Sequence, residues 1–289
     1  MGKEERSLKK KIPYYLMLMP AVALSLFIVL VPAVNTVISS FTDWNGISEE
    51  RTFIGFQNYN DLLNDSVFIK AFFNNLKWLG MFLTVPVLMG LIAAGFLLYK
   101  RRSRNFYQVI FLCPYVIAPV ANSLLWLTMI YNPVSGIMGV LGLQSPLVQR
   151  ETALAGVAAV DIWHYWGFLA IIFFSALRQT PMDQVEAALV EGCNGFQLFR
   201  YIYFHSMLPT FRLMMIMIVI NSFRTFDYIY LLTRGGPARA TETLATLSYN
   251  LAFGMFQYGK ASAVALIMSF IGLAASCIYV HFSRLEEIE

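Results

Sequence analysis

Six long apolar stretches constrain this chain more than any other feature of its sequence. A helix needs about 20 residues to cross the hydrocarbon core of a bilayer, and backbone groups in lipid must find their hydrogen-bond partners within the protein. Each stretch is therefore predicted to be a membrane-spanning helix, which makes the protein all-α and polytopic. The approximate bounds are Pro13–Phe41, Leu76–Tyr99, Phe106–Tyr131, Leu154–Leu177, Arg212–Leu232 and Ala261–Phe282.

The composition agrees with a protein whose solvent is mostly lipid. Only 13% of the 289 residues are charged and 58% are hydrophobic, whereas soluble domains carry about 25% charged residues. We expect a single transmembrane domain over residues 1–289. The apolar run that begins at Ile12 is longer than the roughly 7–15 apolar residues of a signal peptide, so we interpret it as an uncleaved first helix.

The distribution of Lys and Arg predicts the orientation of the chain. Cytoplasmic loops of membrane proteins are enriched in these residues, and about thirteen of the 21 fall on one side of the spans against about seven on the other. We therefore predict that both termini are cytoplasmic, with residues 1–11 forming the N-terminal segment. The loop 178–211 is predicted to lie on the same side. Because the positive charges follow the spans and form no basic face with interleaved aromatic residues, we expect no nucleic-acid partner.

The sequence contains no pattern typical of an enzyme or a metal site. The three cysteines and three histidines are widely spaced, whereas zinc sites need three or four convergent ligands. The phosphate-binding pattern G-x-x-x-x-G-K-[ST] does not occur, so ATP binding by a P-loop is excluded. The nucleophile pattern G-x-S-x-G does not occur either. We therefore expect neither a catalytic residue nor a cofactor in this chain.

The polar loop 178–211 carries strong helix signals. Thr180 is predicted to be the N-cap, with Asp183 completing a capping box, and Gly192 is placed to end the helix in a left-handed conformation. Between them lies Glu186-Ala187-Ala188. Small side chains permit the close approach of another protein, and an exposed acid can bond to its Arg or Lys. An ordinary solvated loop is the alternative.

The same loop resembles the EAA loop of ABC-importer permeases of the carbohydrate-uptake family. The residues that match at the family's spacing are Glu186, Ala187, Ala188, Gly192, Phe199, Ile202 and Pro209. The chain has Phe204-His205 where the family has Leu-Pro, which affects local helix geometry more than docking. Further fragments that look like the family's occur in order at Ser40–Trp44, Phe53–Tyr59, Pro114-Tyr115, Phe226-Asp227, Gly235–Pro237 and Gly259–Ala263.

The resemblance implies the membrane-spanning subunit of a binding-protein-dependent importer in the bacterial cytoplasmic membrane. Its solute would be a sugar or related polar compound, of the oligosaccharide, monosaccharide or glycerol-phosphate type. It also implies a second, similar permease, an extracytoplasmic solute-binding protein, and two ATPase subunits that hold ATP and Mg. The ATPases would dock on Glu186, Ala187, Ala188 and Gly192. The alternative is an ATP-independent secondary transporter, which usually has an internal repeat; this sequence shows none.

Polar residues in the fifth predicted span are candidates for the solute path, because charged groups at membrane depth usually face a cavity or a partner. Asn221, Arg224 and Tyr228 are predicted to share one helical face, and Arg224 and Asp227 to form an i, i+3 pair. An internal ion pair that holds helices together is the structural alternative.

The third and fourth spans contain further candidates. Asp161 and Trp166 in the fourth span lie beside other aromatic residues and suit the binding of a sugar ring. Asn122 and Trp126 lie one turn apart in the third span. The aromatic residues are equally compatible with an interfacial belt, and the polar groups with hydrogen bonds between helices.

Overall fold

A computed structural model describes residues 14–15, 17–100 and 102–286, with the side chains of 282–286 outside the description. The predicted cytoplasmic residues 1–11, Arg101 and the side chain of Arg284 therefore lie outside the described residues.

The described residues form helices joined by short loops, with one isolated β-bridge between Thr42 and Phe53. This confirms the all-α prediction. In chain order the helices are α1 (Met17–Ser40), α2 (Gln57–Asn64), α3 (Ser66–Tyr99), α4 (Arg104–Val116), α5 (Pro119–Ile130), α6 (Ile137–Val140), α7 (Ala153–Leu177), α8 (Met182–Val190), α9 (Gly195–Phe223), α10 (Asp227–Leu232), α11 (Leu244–Tyr249) and α12 (Tyr258–Glu286).

Among the described residues, five helices are long and apolar enough to cross a membrane, namely α1, α3, α7, α9 and α12. Helices α4 and α5 make a sixth span if they are counted as one broken span, which is bent by 94°. The bend arises at Ile117 and Ala118, whose backbones are extended. Since Pro119 disfavours helical geometry in the residue before it, the sequence itself accounts for this interruption.

The predicted fifth span, Arg212–Leu232, is wrong at both ends. Helix α9 already begins at Gly195, so the end of the predicted loop 178–211 and the span form one continuous helix. It ends at Phe223, and α10 starts only at Asp227. Asn221, Arg224 and Tyr228 therefore do not share one helical face, and Arg224 and Asp227 are not an i, i+3 pair of one helix. Hydropathy missed the break because apolar residues continue on both sides of it.

The second span also begins earlier than predicted, at Ser66 instead of Leu76. Asp65 is its N-cap, and its carboxylate Oδ1 accepts a hydrogen bond of 2.9 Å from the Val67 backbone N–H. Such a cap satisfies one of the free donors at a helix start. The polar residues Lys70, Asn74 and Asn75 lowered the hydropathy of this first part of the helix, which is why the pattern placed the start too late.

The described chain divides into two compact units. One runs up to Leu62 and includes Ser248–Leu266; the other comprises Leu63–Leu247 and continues from Ile267. In the first unit, Asn58 Nδ2 donates hydrogen bonds to the carbonyls of Ser40 and Thr42 at 2.9 and 2.8 Å. These bonds fix the loop that follows α1.

The second unit has a helical core in which α7 packs against α3, α4 and α9. Two glycines permit close approach of these helices, as small residues do between membrane helices. A Cβ added at Gly90 on α3 would lie 3.0 Å from Leu169 Cβ on α7. A Cβ at Gly167 on α7 would collide with the Phe111 carbonyl oxygen of α4.

We expect Gly167→Ala to destabilise the packing of α4 on α7, because the added methyl meets rigid backbone. Overpacking of this kind costs about 1–3 kcal/mol or more. The measurement is the thermal midpoint of the purified protein in lipid nanodiscs. Gly95→Ala on α3 is the matched control, since nothing lies within 4 Å of its added Cβ. Equal thermal midpoints for the two variants would contradict the close approach at Gly167.

Candidate functional site

A cavity of about 370 Å³ lies within the second unit. Its wall is formed by α3, the bend between α4 and α5, helix α7, and the break between α9 and α10. Five of the eight predicted solute-path residues line it: Asp161, Asn221, Arg224, Asp227 and Tyr228. The cavity therefore collects polar groups from sequence segments that the prediction treated separately.

The break between α9 and α10 supplies the charged part of the wall. Arg224 leaves the helix with φ −99° and ψ 4°, and Asp227 is the first residue of α10. Both side chains are exposed, and the described residues contain no ion pair between them. The structure thus does not support the alternative of an Arg224–Asp227 ion pair, and it presents both charges to the cavity.

Asp161 and His164 supply polar groups from α7. The His164 Nδ1 atom lies 4.0 Å from Asp161 Oδ1, one turn apart on the same helix. The His164 ring also lies 5.1 Å from the Tyr115 ring and 5.7 Å from the Tyr228 ring, measured between centroids. The imidazole therefore lies close to two aromatic rings, with the carboxylate one turn away.

Trp78 and Phe82 form an aromatic part of the wall on α3. Their rings are nearly parallel, at 5.1 Å and 13°, and Phe82 lies 6.1 Å from Tyr165 of α7. The cavity thus offers aromatic rings on one side and carboxylate, guanidinium and amide groups on the other. This combination can bind a molecule that has both polar hydroxyl groups and apolar C–H faces.

Three predicted solute-path residues lie outside the cavity wall. Asn122 is fully buried, and its Nδ2 donates a 2.9 Å hydrogen bond to the Tyr228 hydroxyl, so it supports a wall residue from behind. Trp126 packs on Tyr131 and Trp163. Trp166 packs on Phe111 and lines a separate, almost wholly apolar cavity. Spacing along a helix could not show which side these residues would face.

Five polar wall residues are not among the eight predicted solute-path residues: Tyr115, His164, Tyr165, Ser222 and Thr225. The Ser222 hydroxyl is buried and has no hydrogen-bond partner among the described residues. Tyr115 could have been found from the nearby Pro119, which predicts a helix bend. Non-helical backbone at membrane depth is tolerated only where it is buried in protein or lines a cavity.

Helix α8 lies in the loop that contains Glu186. Gly192 ends it with φ +84°, and the Gly192 and Cys193 N–H groups donate to the carbonyls of Leu189 and Ala188 at 3.1 and 3.0 Å. These two bonds are the pattern of a Schellman cap, so the predicted role of Gly192 in ending the helix is confirmed.

The predicted start of α8 is wrong. The helix begins at Met182, its N-cap is Pro181 without a side-chain bond, and the Thr180 hydroxyl is buried with no partner among the described residues. The extended backbone of Pro181 displaces Thr180 from the capping position. A capping box does form at the start of α9, because Asn194 and Gln197 exchange two hydrogen bonds of 2.9 Å.

The outward face of α8 combines an acid with apolar side chains. Glu186 and Ala187 are exposed, whereas Ala188 is buried with Val185 against the rest of its own loop. Leu189 and Val190 are 54% and 89% exposed. Exposed apolar residues on an otherwise polar loop are typical of a protein contact site. Of the two alanines, only Ala187 is placed to touch another protein.

The helical fold, the broken spans and the capped loop helix define a polytopic membrane permease. Residues 87–286 match the family described as binding-protein-dependent transport system inner membrane component. The chain belongs to this family, which confirms the resemblance seen in the Glu186–Gly192 loop.

Two relatives and one solved structure are similar over nearly the full chain. The sn-glycerol-3-phosphate transport system permease protein UgpA of Agrobacterium fabrum is 30% identical, with 94% of each chain covered. The probable starch degradation products transport system permease protein AmyD of Thermoanaerobacterium thermosulfurigenes is 28% identical, with 100% of each covered. A bacterial ABC transporter involved in the import of the acidic polysaccharide alginate has a chain of the same fold, with TM-score 0.86, 23% identity, and 98% of this chain and 99% of that one covered.

We expect Gly192→Ala to loosen the end of α8, because a side chain in the left-handed region costs about 1–2 kcal/mol. Hydrogen–deuterium exchange of the Glu191–Cys193 amides should accelerate about tenfold. Gly195→Ala is the matched control, since Gly195 lies in the same loop, has no left-handed φ and has nothing within 4 Å of an added Cβ. Unchanged exchange in Gly192→Ala would contradict the role of the cap.

Proposed function

We propose that this chain is the membrane-spanning subunit of an ABC importer that carries a sugar or related polar solute into the cytoplasm. In this proposal residues 1–289 act as one transmembrane domain of the bacterial cytoplasmic membrane, with both termini on the cytoplasmic side. The observation that carries the solute assignment is the cavity in which carboxylates, a guanidinium and aromatic rings converge. Relatives named for starch products, glycerol phosphate and alginate support the same class of solute.

The chemistry of the wall fits a polyhydroxylated molecule. Carboxylates of Asp161 and Asp227 can accept hydrogen bonds from hydroxyl groups, and charged partners make such bonds stronger. Arg224 and Asn221 can donate to hydroxyl oxygens, while Tyr115, which is 38% exposed, supplies an aromatic ring for the C–H face of a sugar. A phosphate or a uronate would meet the carboxyl groups of Asp161 and Asp227 as well as the Arg224 guanidinium, so the wall favours an uncharged sugar.

The energy for transport would come from ATPase subunits that bind ATP and Mg and dock on α8. Glu186 would form a charge-assisted bond to a cation of the ATPase, and Leu189 and Val190 would be buried in its groove. Closure of the ATPase dimer would move α8, and the spans would then rock between inward-open and outward-open states. A second permease would complete the path, and an extracytoplasmic binding protein would deliver the solute to the loops that include Gly235–Pro237.

The first test is uptake by cells that carry the intact importer. We expect faster uptake of labelled maltotriose than of sn-glycerol-3-phosphate, and no uptake in membrane vesicles that lack ATP. Asp227→Asn and Arg224→Gln should each raise the apparent KM for maltotriose about tenfold, because each loses a hydrogen bond to a charged group. Glu151→Gln, an exposed acid outside the cavity wall, is the control.

Preferential uptake of glycerol phosphate would overturn the preference for an uncharged solute. Uptake in vesicles without ATP would instead favour the ion-driven transporter. If Arg224→Gln lowered the amount of assembled importer and left the KM of the remaining importer unchanged, the side chain would be structural.

The second test concerns Glu186. We expect Glu186→Gln to reduce solute-stimulated ATP hydrolysis or the co-purification of the ATPase, because a charge-assisted bond becomes a neutral one, which is roughly half as strong. Glu191→Gln is a matched control, since Glu191 is also exposed but lies at the far end of α8, next to its cap. Equal hydrolysis and equal ATPase recovery in both variants would remove Glu186 from the docking surface.

A further inference from the structure

The break between α9 and α10 leaves backbone carbonyls that a continuous helix would satisfy. Within a helix, the carbonyl of residue i accepts from the N–H of residue i+4, and the last carbonyls of every helix lose this partner. In this chain the loss falls at Ser222 and Thr225, next to the charged cavity residues Arg224 and Asp227. Free carbonyls at membrane depth are costly unless another part of the protein satisfies them.

Asn75 of α3 satisfies the first of these carbonyls. Its side chain is fully buried, and its Nδ2 donates a hydrogen bond of 2.7 Å to the Ser222 carbonyl. Its Oδ1 accepts one of 2.9 Å from the Leu244 backbone N–H, at the first residue of α11. One amide therefore joins α3, the end of α9 and the start of α11.

Thr243 satisfies the second carbonyl. It is fully buried, and its hydroxyl lies 3.1 Å from the Thr225 carbonyl, to which it donates. Thr243 and Leu244 are neighbours in sequence, so the start of α11 reaches the break at two points. Together the two bonds enclose the residues 222–225 that carry Arg224.

We propose that Asn75 and Thr243 are positioning residues that hold the break between α9 and α10, and thereby keep Arg224 and Asp227 in the cavity wall. Neither residue lines the cavity, so both act through the backbone of the break. The expected change in solute affinity rests on the proposed function. The expected change in the mobility of the backbone at the break does not.

The neighbouring residue Asn74 provides an internal comparison. It is also buried on α3, and its Nδ2 donates to the carbonyls of Ala240 and Glu242 at 3.0 and 2.8 Å. It thus holds the loop before α11, and among the described residues it makes no hydrogen bond to the break. The two adjacent amides are the same residue type at similar burial, but they support different segments.

The test is hydrogen–deuterium exchange of the amides 224–230 in the intact importer in nanodiscs. We expect Asn75→Leu and Thr243→Val to accelerate this exchange about three- to tenfold, as the loss of one hydrogen bond would. Thr243→Ser should restore the wild-type rate because it keeps the hydroxyl. Asn74→Leu should leave 224–230 unchanged and accelerate exchange only at 240–244.

Uptake of maltotriose gives the second readout. The apparent KM should rise in Thr243→Val and return in Thr243→Ser, while Asn74→Leu changes only the amount of assembled importer. If Asn75→Leu fails to assemble, the nearly isosteric Thr243→Val and Thr243→Ser pair still decides the matter. Unchanged exchange at 224–230 in Thr243→Val, or an equal change there in Asn74→Leu, overturns the proposal. Accelerated exchange together with no maltotriose uptake by the wild type would leave the positioning role standing and refute the proposed solute.

Discussion

The structure depends on one constraint, which is that backbone polar groups in lipid must be satisfied by the protein itself. Continuous helices meet this demand alone, so an interruption is tolerated only where other groups replace the missing bonds. In the described part of the larger unit, two such interruptions lie at Ile117-Ala118 and at Arg224–Phe226. The cavity lies where both of them meet helix α7, so the departures from regular helix and the polar wall have the same origin.

A second layer of polar side chains keeps this wall in place. Asn122 donates to the Tyr228 hydroxyl from behind, and Asn75 and Thr243 donate to the carbonyls of the break. Because each of these groups is buried, loss of its partner leaves a polar atom without solvent, which is costly. The charged wall residues Arg224 and Asp227 remain exposed, so rigidity and accessibility are assigned to different residues.

The sequence predicted the features that depend on local chemistry. Apolar length predicted the spans, and Gly192 predicted the end of α8 because only a left-handed residue completes that cap. Prediction failed where a distant contact decides the outcome. The break after Phe223 depends in part on Asn75, 147 positions from Ser222 in the chain, and no local pattern reveals such a partner. Asn122, Trp126 and Trp166 were predicted as solute-path residues but lie outside the wall, since spacing along a helix identifies neighbours and not the direction that they face.

The early start of α9 bears on how motion could reach the cavity. A loop helix separated from the fifth span by a flexible joint would absorb a displacement of α8. Instead, the capping box of Asn194 and Gln197 opens directly into a helix of 29 residues, which at about 1.5 Å per residue is roughly 43 Å long. That helix ends at Phe223, one residue before Arg224. A displacement of the loop at Asn194 would therefore be carried along one helix to the break, where Asn75 and Thr243 bind the carbonyls of Ser222 and Thr225.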